Sequence, residues 1–149
     1  MEAARRSAGL ILALALLAGC GGSSNKADAS ACAVDRGVLP EWARTGFSDP
    51  KPKMPHVVGD SGAIAAVIFG DPLVAPPAPD RSNKILWVAR ETPPPPAQLT
   101  IHATNGDQAL TRKVDVGPSF VDLPPGCWRL SLSWTGGHKD TLDLAYAER

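Results

Sequence analysis

The sequence predicts an all-β domain, an antiparallel two-layer β-sandwich of about seven strands with one short N-terminal helical turn. Three observations predict it. Residues 127–134 (CWRLSLSW) and 98–104 (QLTIHAT) alternate strictly between apolar and polar side chains, the period of a strand with one buried face. Turn formers recur at short intervals: 15 prolines and 14 glycines in 149 residues, against the usual ~12% for the two together. No stretch beyond residue 32 carries the three-and-four apolar spacing of a long helix.

The elements follow in order. Residues 39–46 (LPEWARTG) place Pro first, Glu early, Arg late and Gly as a stop, which predicts one helical turn. Residues 48–55 (SDPKPKMP) are irregular because Pro50, Pro52 and Pro55 interrupt any ladder or helix. Residues 63–69 (AIAAVIF) form a buried strand closed by Gly70-Asp71-Pro72, and 73–83, with three prolines, read as a surface connection. Residues 84–90 (KILWVAR) are apolar on both faces, as a central strand is. The four prolines at 93–96 make a stiff spacer between strands. In 98–104 Leu99, Ile101 and Ala103 point inward; Asn105-Gly106 signals a hairpin whose partner is 109–116, with Leu110, Val114 and Val116 on one side. A short strand covers 119–123. The closing hairpin puts Trp128, Leu130, Leu132 and Trp134 on one face, and Leu142, Leu144 and Tyr146 repeat the pattern. Trp87, Trp128 and Trp134 are therefore core, with Trp42 capping one end.

Residues 120–128 (FVDLPPGCW) resemble the closing strand of transthyretin-like and immunoglobulin-like β-sandwich modules, in which a Pro-Gly turn feeds a strand whose first aromatic enters the core. Trp128 stands at that position. Residues 39–47 (LPEWARTGF), 83–88 (NKILWV) and 126–130 (GCWRL) resemble lipoproteins of actinobacteria. Neither resemblance implies a reaction, because this architecture hosts many functions.

The N-terminus carries an address. Arg5 and Arg6 precede the apolar run 10–18 (LILALALLA), which is too short for the ~20 residues of a spanning helix but suits a signal peptide. Leu17-Ala18-Gly19-Cys20 resembles a bacterial lipobox. That implies a lipoprotein signal peptide over 1–19, a diacylglyceryl group on Cys20, and residence on the outer face of the cytoplasmic membrane. Ser7-Ala8-Gly9 lacks the apolar residues of a twin-arginine signal, so the general secretory route is expected. Residues 20–31 are small and polar, a flexible tether of ~20 Å as a coil, and 32–149 form a single domain.

The mature chain of 130 residues carries 13 basic against 14 acidic side chains with no basic cluster, which excludes nucleic acid as a partner. Membrane lipid through Cys20 and an envelope protein or glycan are the partners expected, with no cofactor. Export also predicts a disulfide. With Cys20 lipidated, Cys32 and Cys127 are left to pair in an oxidising compartment.

Gly59-Asp60-Ser61-Gly62 resembles the nucleophile motif of trypsin-like proteases, but Ala63 stands where that pattern has a second Gly. Only 41 mature residues precede Ser61, too few for the barrel that would hold a base. Residues 57–61 (VVGDS) also resemble the opening block of GDSL-type esterases, whose late Asp-x-x-His is here the inverted His138-Lys139-Asp140. A serine without a base and an orienting acid is a weak nucleophile. The economical reading is a turn in which Asp60 and Ser61 bond their own backbone. Met54, His56, His102, His138 and Asp140 offer metal-ligand chemistry, but no two histidines share ligand spacing, which reads as three separate surface histidines. The expected function is a non-enzymatic binding or structural module of the cell envelope. The alternatives are an envelope serine hydrolase using Ser61 and a metal-binding protein using His56 and His138.

Overall fold

Alternation in the sequence sorts the chain into two layers. The computed structural model describes residues 32–149, so the expected signal peptide over 1–19, Cys20 and the expected tether over 20–31 lie outside the described residues. One sheet has the order β1-β2-β4-β7, built from His56–Val58, Ile64–Ile68, Lys84–Ala89 and Pro118–Phe120, all antiparallel. The other has the order β3-β9-β8-β5-β6, from Leu73–Ala75, His138–Glu148, Gly126–Trp134, Gln98–Asn105 and Gln108–Asp115. Ile64, Ile68, Ile85 and Trp87 of the first meet Ile101, Trp128, Leu130, Leu142 and Leu144 of the second in one hydrophobic cluster. All seven inward residues expected of the closing hairpin, Trp134 included, are buried.

The Asn105-Gly106 signal produces its hairpin: Asn105 pairs with Gln108, and Gly106 takes a φ of +56° that few other residues adopt. Residues 41–43 form one 3-10 turn following Pro40.

The described strands number nine rather than about seven, and the pairing is not wholly antiparallel. Residues 73–83 were expected to be a surface connection, yet Leu73–Ala75 is a buried strand lying parallel to the end of β9. Three residues are too few for alternation to show, and Pro76 and Pro77 hide them. The free edge of β3 is completed by a side chain. The Val74 N–H donates to Asn83 Oδ1 at 2.9 Å, and Asn83 Nδ2 donates to the Val74 carbonyl at 2.8 Å. The amide thus supplies the bonds of a missing strand.

The N-terminal segment runs along the β1 edge of the four-stranded sheet. Cys32 is disulfide-bonded to Cys127, with Cα atoms 5.9 Å apart. By alternation with the buried Trp128, Cys127 lies on the outer side of the five-stranded sheet. From there the chain passes to β1, where Asp35 and His56 exchange two backbone hydrogen bonds at 2.9 and 2.8 Å. It then runs past Leu39, whose N–H donates to the Pro52 carbonyl at 3.0 Å. Leu39 and Ala43 are buried outside the main cluster, as are Ala65 and Val67 on the outward face of β2. The segment therefore wraps from one layer to the other. Trp42 does not cap an end of the domain as expected. It lies beside the outward face of β4, with the Arg90 guanidinium 4.9 Å from its ring centroid.

Candidate functional site

The loop between β1 and β2 contains the Gly-Asp-Ser-Gly motif, and its backbone closes on itself and on the other sheet. The Gly62 N–H donates to the Gly59 carbonyl at 2.8 Å, making the turn, and the Asp60 N–H donates to the Thr141 carbonyl at 2.8 Å. On β9, Asp140 occupies a position that alternates with the core residues Leu142 and Leu144, and it is only 6% exposed. Its carboxylate accepts the N–H groups of Ser61 at 2.9 Å, Ala63 at 2.9 Å and Thr141 at 2.8 Å. β3 reaches β9 only at Tyr146–Glu148, so the loop and this carboxylate cap the edge of β9 around Thr141. Gly59 is required by close approach, since a Cβ there would overlap the Asp140 carboxylate. Burial pushes the Asp140 carboxyl upward, but the donated N–H bonds outweigh it and hold the group below the usual carboxylate range.

Asp60 does not bond its own backbone as expected. It turns outward, accepting the Thr141 hydroxyl at 2.7 Å and Nη2 of Arg129. Arg129 also donates to Asp143 at 3.1 Å and to Thr141 Oγ1 at 2.8 Å. The Thr141 hydroxyl first, then Arg129, lowers the Asp60 carboxyl, and the Asp60 bond raises the Arg129 guanidinium. The motif is a turn closed by its own backbone, but the Asp60 side-chain bonds come from β8 and β9.

Ser61 opens on a shallow hollow of about 400 Å³ lined by Asp60, Ser131, Leu132, Lys139, Asp140 and Thr141. An imidazole is not among these lining residues, and the acid beside Ser61 is committed to backbone N–H groups. What the arrangement does chemically is hold one sheet to the other.

The histidines are far apart in the topology, on β1, on β5 and at the start of β9. His56 is not a surface residue: it is 2% exposed and its Nδ1 donates to the Met54 carbonyl at 2.8 Å, with Asp35 at 3.8 Å from Nε2. Exposed His102 bonds Thr111 Oγ1 at 2.9 Å. His138 stacks on Trp134 with ring centroids 5.5 Å apart and faces Glu91 at 4.0 Å. Among the described residues no three His, Cys, Asp or Glu side chains group as ligands to one ion.

A second concavity, which the sequence reading missed, lies on the outer side of the four-stranded sheet. It measures about 330 Å³, with Leu86 and Val88 as its apolar floor and Trp42, Arg90, Thr92 and Val116 around it. Among the described residues no carboxylate lies within ion-pair distance of Arg90, which is exposed. The alternation of 84–90 was the available signal, since it leaves Leu86, Val88 and Arg90 on the face away from the core.

No protein-family model, curated protein or solved structure matches this chain.

Proposed function

We propose that the protein is a lipid-anchored module of the cell envelope, held on the outer face of the cytoplasmic membrane through diacylglyceryl-Cys20, with a non-enzymatic binding or structural role. The observation that carries this reading is the Cys32–Cys127 pair. It favours an oxidising compartment, and it begins twelve residues after the lipobox cysteine, where a tether would end. Within the all-β class we assign the domain to the immunoglobulin-like or transthyretin-like sandwiches, on the Pro-Gly turn that delivers Trp128 to the core. The non-enzymatic reading is supported by the Ser61 loop, whose acidic neighbour Asp140 fixes backbone instead of orienting a base. The cleft beside Trp42 and Arg90 is the surface we assign to a small anionic group of an envelope partner.

Fractionation of cells expressing the Cys20→Ala protein tests the anchor. The variant should leave the membrane fraction or stay unprocessed; normal maturation with unchanged attachment would contradict the reading. Ester turnover by the native protein that disappears in Ser61→Ala would replace the module with a hydrolase.

A further inference from the structure

Two of the largest exposed apolar side chains lie in one row. Phe69 is 48% exposed and Phe120 is 61% exposed. Lys84 pairs with Phe120 across β4 and β7, and the Phe69 N–H donates to the Lys84 carbonyl at 3.1 Å on the other side. Ile85 and Ile68, the next residues along β4 and β2, face the core, so Lys84, Phe69 and Phe120 share the outward face. The Lys84 ammonium sits 5.2 Å from the Phe69 ring centroid. Arg81 packs beside Gly70, the residue after Phe69, with its Nη2 donating to the Pro72 carbonyl at 2.8 Å. Of the acids close by in the sequence, Asp71 is engaged by Arg36 and Asp122 by Asn83, while exposed Asp80 stands next to Arg81.

The row belongs to the same end of the domain as the disulfide. Tyr146 Oη donates to the carbonyl of Val121, the residue after Phe120, at 2.7 Å. Tyr146 adjoins Ala145, whose cross-strand partner is Cys127, the residue that holds Cys32. Asn83, just before Lys84, bonds Val74 beside the end of β9.

We infer that Phe69, Lys84 and Phe120 form a contact face for a lipid surface bearing anionic headgroups. The inference rests on the Cys20 anchor proposed above. Twelve residues separate Cys20 from Cys32, so the described domain cannot stand farther than ~40 Å from an anchor at Cys20. Two half-exposed aromatic rings with the Lys84 ammonium beside one of them match the two components of interfacial binding, apolar insertion and attraction to anionic lipid. The contact would turn a loosely tethered domain into an oriented one, leaving the hollow at Ser61 on the opposite end and directed away from the membrane.

The test uses the full mature lipoprotein carrying Phe120→Trp, reconstituted in vesicles of phosphatidylcholine and phosphatidylglycerol with brominated acyl chains. Trp87, Trp128 and Trp134 are buried, and the signal is the difference between the variant and the native protein. The added fluorescence should fall at least twofold relative to unbrominated vesicles. Lys84→Glu should weaken that quenching, as should removal of phosphatidylglycerol. Intact mass of the same preparation reports the lipid on Cys20. Lipid present with no quenching overturns the contact face and leaves the anchor standing; an unmodified Cys20 overturns the anchor and this inference with it.

Discussion

Asp140 on β9 holds Ser61 of the opposite sheet by the Ser61 N–H, at 2.9 Å, and the same carboxylate binds Ala63 and Thr141. One buried acid thus joins the two layers at the end of the domain away from the disulfide. Removing it would leave three backbone donors without their acceptor. Asp140→Ala should cost about 2–4 kcal/mol, since each buried donor left unsatisfied costs about 1–3 kcal/mol and water recovers part of the loss. Ser61→Ala keeps the backbone N–H and should cost less than about 1 kcal/mol. Urea denaturation of both variants checks the ordering; equal losses would show that the serine hydroxyl matters as much as the carboxylate.

Gly59→Ala should act on the same bonds, because its methyl group would overlap the carboxylate. Combined with Asp140→Ala it should lose clearly less than the sum of the two single losses, as residues sharing one contact couple. A double-mutant cycle with strict additivity would separate Gly59 from the Asp140 carboxylate.

The pH dependence follows with a defined sign. Asp140 and Asp60 are both held below their ordinary carboxylate values in the folded protein. Their stabilisation is therefore present above the unfolded-state value, ~3.9 for Asp, and is lost as pH falls through the lower folded values. Denaturation midpoints should fall as pH is lowered below about 4, and Asp140→Asn should flatten that slope. Asp60 and Arg129 are about half exposed, so Asp60→Asn should change stability by less than about 1 kcal/mol.

Much of this fold was legible because alternation is a one-dimensional pattern. Trp128, Leu130 and Leu132 announced their face, and the Asn105-Gly106 turn announced its hairpin. β3 was hidden because three residues cannot alternate and because Asn83, a side chain, supplies part of its pairing. His56 looked like a surface residue since nothing local reveals that Asp35 lies across its backbone. The role of Asp140 depends on contacts 77 and 79 residues away. Its one local trace is an acid in phase with Leu142, Leu144 and Tyr146, at a position where an apolar residue would be expected.

Trp128 should be the costliest tryptophan to lose. It is fully buried, and its Nε1 donates to the Pro124 carbonyl at 2.8 Å. Trp128→Ala should destabilise by about 3–5 kcal/mol. Phe120→Ala, eight positions earlier but exposed, should shift stability by no more than about 0.5 kcal/mol. Thermal melts of the pair decide it, and a wild-type melt for Trp128→Ala would contradict its place in the core.

The disulfide closes a loop with a sequence separation of 95 residues. On the chain-entropy argument it contributes about 4–5 kcal/mol, with measured values often smaller. Replacing Cys32 and Cys127 by Ser should lower the denaturation midpoint and expose the N-terminal segment to protease ahead of the core. Two free thiols per native mature chain in a non-reducing assay would contradict the pairing.

The most direct test of the lipid-anchored reading is the intact mass of the mature protein purified from membranes. The expected species begins at Cys20 and carries a diacylglyceryl adduct, with Cys32 and Cys127 oxidised. A mature chain that begins elsewhere, or a Cys20 with no adduct, would contradict it.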